Sequence, residues 1–285
     1  MMLENKTALV TGATDGLGKL VAIKLAENGA RVLIHGRDRA KGQATLAELR
    51  SATGNPNLDF YCADLAELSQ VRELAAEVTS AHKRLDILIN NAGVGLFAAA
   101  DRQLSCDGLE MHFQVNYLAP FLLTELLLPL IRASAPARIV NVSSLGQAPI
   151  DFNDVMLEGA YSPMEAYCQS KLAQIMFTID LSEKLKDTGV TATALHPGTY
   201  MNTNMVLESG ITPQTPVEEG VEATYRLATS PEVEGQTGVY FDQQTVSRAM
   251  DQAYDEAARR QLRELSLRLS GSWLASTRLS QGTDK

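Results

Sequence analysis

Tyr167 and Lys171 stand four residues apart in the run Ala166-Tyr167-Cys168-Gln169-Ser170-Lys171. On a helix that spacing puts a phenol and an ammonium on one face. A free phenol titrates near ~10, too high for acid–base work at neutral pH, and a neighbouring cation draws the value down. The pair is therefore a candidate proton-transfer device. Tyr161 competes by position, but its i+4 neighbour is Glu165, whose negative charge would push a phenol the other way.

A second feature sits near the N-terminus, where the apolar run at 7–10 leads into Thr11-Gly12-Ala13-Thr14-Asp15-Gly16-Leu17-Gly18 and then an amphipathic stretch. Strand, glycine turn and helix in that order point backbone N–H groups at an anion such as a pyrophosphate. Glycine permits the positive φ of the turn and lets strand and phosphate approach the backbone. The spacing is Gly-x-x-x-Gly-x-Gly. Gly12, Thr14, Asp15, Gly16, Leu17 and Gly18 are the candidate contacts.

These groups need a scaffold, and the rest of the chain supplies an alternation of strand and helix. Short β-branched or apolar runs at 8–11, 31–35, 58–62, 87–90, 138–143, 190–195 and 239–241 read as seven strands. Helical patterns fall between and after them, at 16–28, 39–51, 66–81, 105–131, 164–186, 216–228 and 255–269. Parallel strands joined by right-handed crossovers give an α/β, doubly wound sheet, a single-domain Rossmann fold over residues 1–270. Residues 271–285 lose periodicity and read as a mobile tail.

Composition excludes several functions. With 25 basic and 34 acidic residues the net charge is −9, which argues against a nucleic-acid or anionic membrane partner. No uninterrupted apolar run reaches the roughly 20 residues of a membrane span, and residues 1–6 lack a signal-peptide core, so a cytoplasmic protein is expected. Cys62, Cys106 and Cys168 are isolated, and His35, His82, His112 and His196 lack ligand spacing, so no metal site is expected.

Ligands of such sheets bind beyond the carboxyl ends of the strands. The fourth strand ends in Asn90-Asn91-Ala92-Gly93 and the fifth in Asn141-Val142-Ser143-Ser144. Ser143 and Ser144 face opposite ways if the pleat continues, so one of them serves. Here the chain resembles the short-chain dehydrogenase/reductase family, closest to its retinol dehydrogenase-like branch. The matches are Thr11 to Gly18, Asp64, Asn90 to Gly93, Asn116, Ser144, Tyr167-x-x-x-Lys171 and Pro197-Gly198.

That resemblance implies a catalytic set of Asn116, Ser144, Tyr167 and Lys171. Tyr167 would exchange a proton with the substrate oxygen, and Ser144 would donate a hydrogen bond to it. Lys171 would lower the tyrosine's pKa and bind the nicotinamide ribose, while Asn116 would help hold a relay water. Asp64 and Leu65 would meet the adenine. Asn91, Ala92 and Gly93 would line the coenzyme, joined by Pro197 and Gly198. The implied activity is carbonyl–alcohol interconversion by hydride transfer; a cofactor-sensing protein with little turnover and an enone reductase are the alternatives.

Coenzyme choice turns on Val32-Leu33-Ile34-His35-Gly36-Arg37-Asp38. An acid at the end of the second strand would bind the ribose 2′-hydroxyl of NAD. Gly36 stands there instead, followed by Arg37, which can pair with a 2′-phosphate. NADP(H) is therefore expected over NAD(H), with Asp38 the residue that could restore NAD binding if the turn shifts. Ser144 and Tyr167 are 23 residues apart, longer than the common family spacing. The segments 145–163 and 199–220 are read as substrate walls. Tyr200, Met201, Met205, Val206 and Leu207 would offer apolar surface to a small hydrophobic carbonyl or alcohol. The mixed apolar faces of the 164–186 helix suggest burial against a partner subunit, so a homo-oligomer, dimer or tetramer, is expected.

Overall fold

The computed structural model describes residues 3–96 and 100–280. Its eight strands are β1 (Thr7–Val10), β2 (Arg31–Gly36), β3 (Leu58–Cys62), β4 (Ile87–Asn90), β5 (Ala137–Val142), β6 (Val190–His196), β7 (Val239–Asp242) and β8 (Thr245–Ser247). They form one sheet in the order β3-β2-β1-β4-β5-β6-β7-β8. The first seven pair in parallel, as the sequence suggests, and β8 adds a short antiparallel edge hairpinned onto β7. Strand order reverses between β1 and β4, so a crevice opens beyond their carboxyl ends.

Helices α1 (Gly16–Glu27), α2 (Arg39–Thr53) and α7 (Val217–Thr229) cover one face of the sheet. The other carries α3 (Leu68–Ala81), α4 (Ala119–Ala133), α5 (Pro163–Lys184) and α8 (Glu256–Ser280), while the short α6 (Asn204–Glu208) lies in the 199–220 segment. Covered on both faces, β1 and β4 are buried throughout, which is why their sequences run apolar without alternating. Local signals fix the helix ends. Asp38 caps α2 by accepting the Lys41 N–H at 2.8 Å, and Gly54 ends it in the left-handed conformation. Ser162 caps α5, with Pro163 first and Glu165 in the opening turn.

Three expectations change. The helix expected over 105–131 starts at residue 111, because Ser105 accepts the Leu109 N–H in a tight turn and Leu104 bridges Glu110. Residues Phe113–Leu118 then take π-helical spacing before α4 begins, a local widening frequent at functional sites. The tail expected from 271 is instead the end of α8, which runs to Ser280; Trp273 packs on the core and stacks with Arg72 at 5.4 Å. Residues 281–285 of that expected tail lie outside the described residues.

The third change concerns the face offered to a partner subunit. Helix α5 is buried from Lys171 to Thr178 within this single chain. Its outer side meets α8 through Arg263–Asp180 at 2.8 Å and Arg259–Glu183 at 2.8 Å, while Tyr117 bonds Ser266 at 2.6 Å. An apolar face on two sides of a helix reports burial, and here the chain's own C-terminal helix does the burying. The run Phe113–Ala133 has the length and hydropathy of a membrane span, but 78% of it is buried in the protein, as befits a core helix.

Candidate active site

The turns after β1 and β4 are pressed together at the crevice floor. Gly12 has φ +64°, and a Cβ on it would lie 2.8 Å from the Ala92 Cα. At Gly18 a Cβ would lie 2.3 Å from Asn91 Nδ2 and 2.5 Å from the Gly12 carbonyl oxygen. Thr11 rivets the two turns: its hydroxyl accepts the N–H groups of Asn91 and Ala92, each at 3.0 Å, and Asn91 Nδ2 donates to the Thr11 carbonyl at 2.8 Å. Asp15 caps α1 on the Gly16 N–H at 2.8 Å. The following amides of that first turn lack helix partners by geometry, and beside Gly16 the nearest obstacle to a Cβ is Thr203 at 3.3 Å. A dinucleotide fits this cradle, with its pyrophosphate at the α1 N-terminus.

Across the crevice, Tyr167, Ser144 and Lys171 come together. The Tyr167 phenol shares a hydrogen bond with Ser144. A Cβ built on Gly146 would meet Ser144 Oγ at 3.5 Å and Tyr167 Cε1 at 3.8 Å, so one backbone segment touches both. Lys171 Nζ stands 5.6 Å from the Tyr167 ring centre and donates to the Val142 carbonyl at 3.0 Å and to Gln174 Oε1 at 3.2 Å. Gly93 abuts Asn116 and Lys171; a Cβ there would be 3.1 Å from Asn116 Oδ1 and 3.6 Å from Nζ. The third proton of the ammonium is thus beside the coenzyme turn. Ser143 faces α5 and donates to the Lys171 carbonyl at 2.7 Å, which leaves Ser144 as the serine in the cleft.

Electrostatics here differ from the sequence expectation. Burial pushes the Tyr167 phenol up, the Ser144 hydrogen bond offsets this in part, and Cys168 and Tyr200 add to the rise. Lys171 is itself lowered to about 8 by burial. Without coenzyme, desolvation outweighs the ammonium's pull on the phenol. Tyr161 is also raised, by burial first and then by Glu110 rather than by the Glu165 four residues on. Asn116 is buried and its side chain is occupied: Oδ1 accepts the Val94 N–H at 2.7 Å, and Nδ2 donates to the Val94 carbonyl at 3.1 Å and Ser170 Oγ at 3.0 Å.

At the adenosine end, a Cβ on Gly36 would lie 2.5 Å from Thr14 Cγ2, so an acid there would have to displace the Thr14 side chain. Arg37 is exposed beside it. Asp38 is engaged through one oxygen as the α2 cap. Lys41, which sequence reasoning did not single out, pairs with Asp15 at 2.5 Å. Burial would raise the Asp15 carboxyl, but hydrogen bonds from Lys41, Asn204 and Gly16 prevail and hold it low. His35 joins three strand ends, accepting the Gly12 N–H at 3.3 Å and lying 3.0 Å from the Ala63 carbonyl; burial holds it near 4. Asp64 uses one oxygen to hold its own turn, on the Ala66 N–H at 2.9 Å, and Leu65 is buried beside it.

The two long segments are ordered walls. Gln147 and Ile150 are laced to Met250 and Gln252 by three hydrogen bonds of 2.7–3.0 Å, and Tyr240 donates to the Ser144 carbonyl at 3.0 Å. This tie between the serine loop and residues 250–252 has no local sequence signal. Pro197 and Gly198 begin the second wall, where Met201 bridges Thr215. Thr203 leans on Gly16, Met205 on Gly95, and Asn204 donates to Asp15 at 3.0 Å. Tyr200, Met205 and Leu207 are exposed there. Among the described residues no group of His, Cys, Asp or Glu is arranged to hold a metal.

A glycine cradle and a Ser-Tyr-Lys cluster on one crevice of a doubly wound sheet define a nucleotide-dependent oxidoreductase. Residues 6–213 match the family model described as short chain dehydrogenase, and the chain belongs to that family, whose members act with NAD(P) on alcohols and carbonyls. It is 38% identical to human retinol dehydrogenase 13 over 97% of this chain and 88% of that protein. Mouse retinol dehydrogenase 11 is also 38% identical, over 95% and 88%. Among solved structures, a protein from Mycobacterium paratuberculosis superposes with a TM-score of 0.76 at 30% identity, covering 94% of each chain. The NADP complex of Pseudomonas aeruginosa RhlG gives 0.69 at 28%, covering 85% of this chain and 96% of that one.

Proposed function

We propose that this protein uses NADP(H) to interconvert small hydrophobic aldehydes or ketones and their alcohols. The observation that carries the reading is the meeting of Ser144, Tyr167 and Lys171 beside the Gly93 turn. In reduction, Ser144 steadies the substrate oxygen and Tyr167 gives it a proton, replenished through Lys171. Bound coenzyme supplies the hydride. Residues of the two glycine-rich turns hold the pyrophosphate and nicotinamide ends, and Met205 and Tyr200 exclude water above them. Preference for NADP(H) is supported by Gly36 packed on Thr14, by Arg37 and Lys41 as cations at the adenosine end, and by Asp38 being engaged as the α2 cap. The RhlG neighbour carries NADP. All four catalytic candidates come from one chain, so an oligomer is not needed to complete the site.

The test follows NADPH and NADH absorbance with straight-chain aldehydes, cyclic ketones, enones and all-trans-retinal. Turnover of aldehydes or ketones, faster with NADPH, is expected, and Tyr167→Phe should lower kcat by about 10²–10⁴-fold while NADPH still binds. Activity confined to enones, or coenzyme binding with no turnover, would replace this reading with one of its alternatives.

A further inference from the structure

A buried acid and a buried histidine lie against the Tyr167 ring without belonging to the set described above. Glu110 is wholly buried and His112 nearly so. Glu110 Oε2 accepts the Phe113 N–H at 2.7 Å, and Oε1 stands 2.9 Å from His112 Nδ1. The other ring nitrogen, Nε2, lies 3.1 Å from the Gly95 carbonyl. The imidazole meets the Tyr167 ring edge-on, with centres 6.4 Å apart and planes at 89°.

Proton counting makes this arrangement specific. The Gly95 carbonyl can only accept, so Nε2 carries a hydrogen. The opposite nitrogen faces a carboxyl oxygen, so a proton also lies between Nδ1 and Oε1. Whichever group holds that proton, both carboxyl oxygens and both ring nitrogens are engaged, which makes burial of the pair tolerable. The same helix face carries Asn116, four residues on, which holds Val94 as His112 holds Gly95. Two consecutive residues of the post-β4 turn are thus stapled to one helix, and Met205 packs on the second of them.

We propose that Glu110 and His112 form a positioning pair that fixes the Tyr167 ring and the Gly95 turn. It rests on the acid–base role given to Tyr167 above. The imidazole packs against the ring that carries the phenol, so the pair acts through the orientation of Tyr167. The other charged side chains on this side, Arg102, Asp101 and Glu158, make no hydrogen bond to the pair among the described residues. Glu110 also acts on Tyr161.

The experiment compares the wild type with His112→Leu, His112→Gln and Glu110→Gln, using NADPH and the fastest aldehyde of the straight-chain series. A second readout needs no activity: the Tyr167 ring resonances are followed by NMR of ring-labelled tyrosine in the coenzyme-free protein, assigned with Tyr167→Phe. Expected for His112→Leu is a kcat lowered about tenfold to a hundredfold with KM for NADPH held within about twofold, and Tyr167 ring resonances that move as the ring loses its fixed orientation. Glu110→Gln, which keeps an acceptor for the Phe113 N–H, should move both readouts in the same direction. His112→Gln, which can still donate to Gly95, should recover part of kcat. The proposal is overturned if the Tyr167 ring resonances stay in place in both His112→Leu and Glu110→Gln, or if kcat and NADPH binding fall together, as a merely structural helix cap would dictate. Should no aldehyde turn over in the wild type, the acid–base reading fails on its own, and the ring resonances still decide the pair.

Discussion

Where the coenzyme would lie, the cleft is walled by backbone: two turns meet at Gly12, Gly18 and Ala92, so closely that a single methyl group cannot enter. The other wall is made of side chains: the 199–220 segment lays Thr203 on Gly16 and Met205 on Gly95 and leaves Tyr200, Met205 and Leu207 exposed. A wall of backbone presents N–H groups and shape and suits a ligand that does not vary. A wall of side chains changes its chemistry with each substitution at little cost to the fold. On the proposed function, the same crevice combines a fixed reagent site with an adaptable substrate site.

The harshest way to break that contrast is Gly18→Val. Its side chain would collide with Asn91 and the Gly12 carbonyl, and overpacking of this kind costs about 1–3 kcal/mol or more. NADPH binding measured by fluorescence titration should be lost and Tm should fall by several degrees, about 2–4 °C per kcal/mol. Normal binding would show that the coenzyme lies elsewhere. Next in size is the double change Arg37→Ala with Lys41→Ala. Losing charge-assisted contacts worth about 1.5–3 kcal/mol should raise KM for NADPH roughly tenfold to a hundredfold and leave KM for NADH nearly unchanged. An equal effect on both coenzymes would remove the 2′-phosphate from the account.

A pH measurement sharpens the comparison at the seam between the walls. Burial holds Lys171 at about 8 against an ordinary 10.5. Between those values the unfolded chain binds a proton that the folded chain releases, so this residue makes stability rise with pH across that window. Its penalty is fully present below about 8. Lys171→Met should flatten that rise in a plot of Tm against pH; an unchanged slope would mean the ammonium is solvated. The smallest effect belongs to the outer wall. Met205→Ala should alter KM for hydrophobic aldehydes only a few-fold, and Tm by about 1 °C or less, since exposed positions contribute within about ±0.5 kcal/mol.

Legibility in the sequence follows the same division. Strand and helix order, the glycine turn and the Tyr167–Lys171 spacing are local patterns, and each could be read from a short window. The late start of the helix after residue 110 was not legible, because Ser105 closing a turn on Leu109 competes with an unbroken helical pattern. Nor was the role of Thr11, whose hydroxyl matters only because β4 lies beside β1. His112 looked like an isolated histidine, and no spacing rule could have joined it to Gly95 and Tyr167.

By itself, the sequence of this protein determined its alternation of elements, the turn that only glycine can make, and the pairing of a phenol with an ammonium on one helix face. Those follow from backbone sterics and helical periodicity, which act over a few residues. Only the tertiary structure decided which serine faces the cleft, that burial rather than Lys171 dominates the Tyr167 phenol, and that α8 packs on α5. Desolvation and long-range packing depend on residues far apart in the chain, and the distances that set their strength exist only once the sheet has formed.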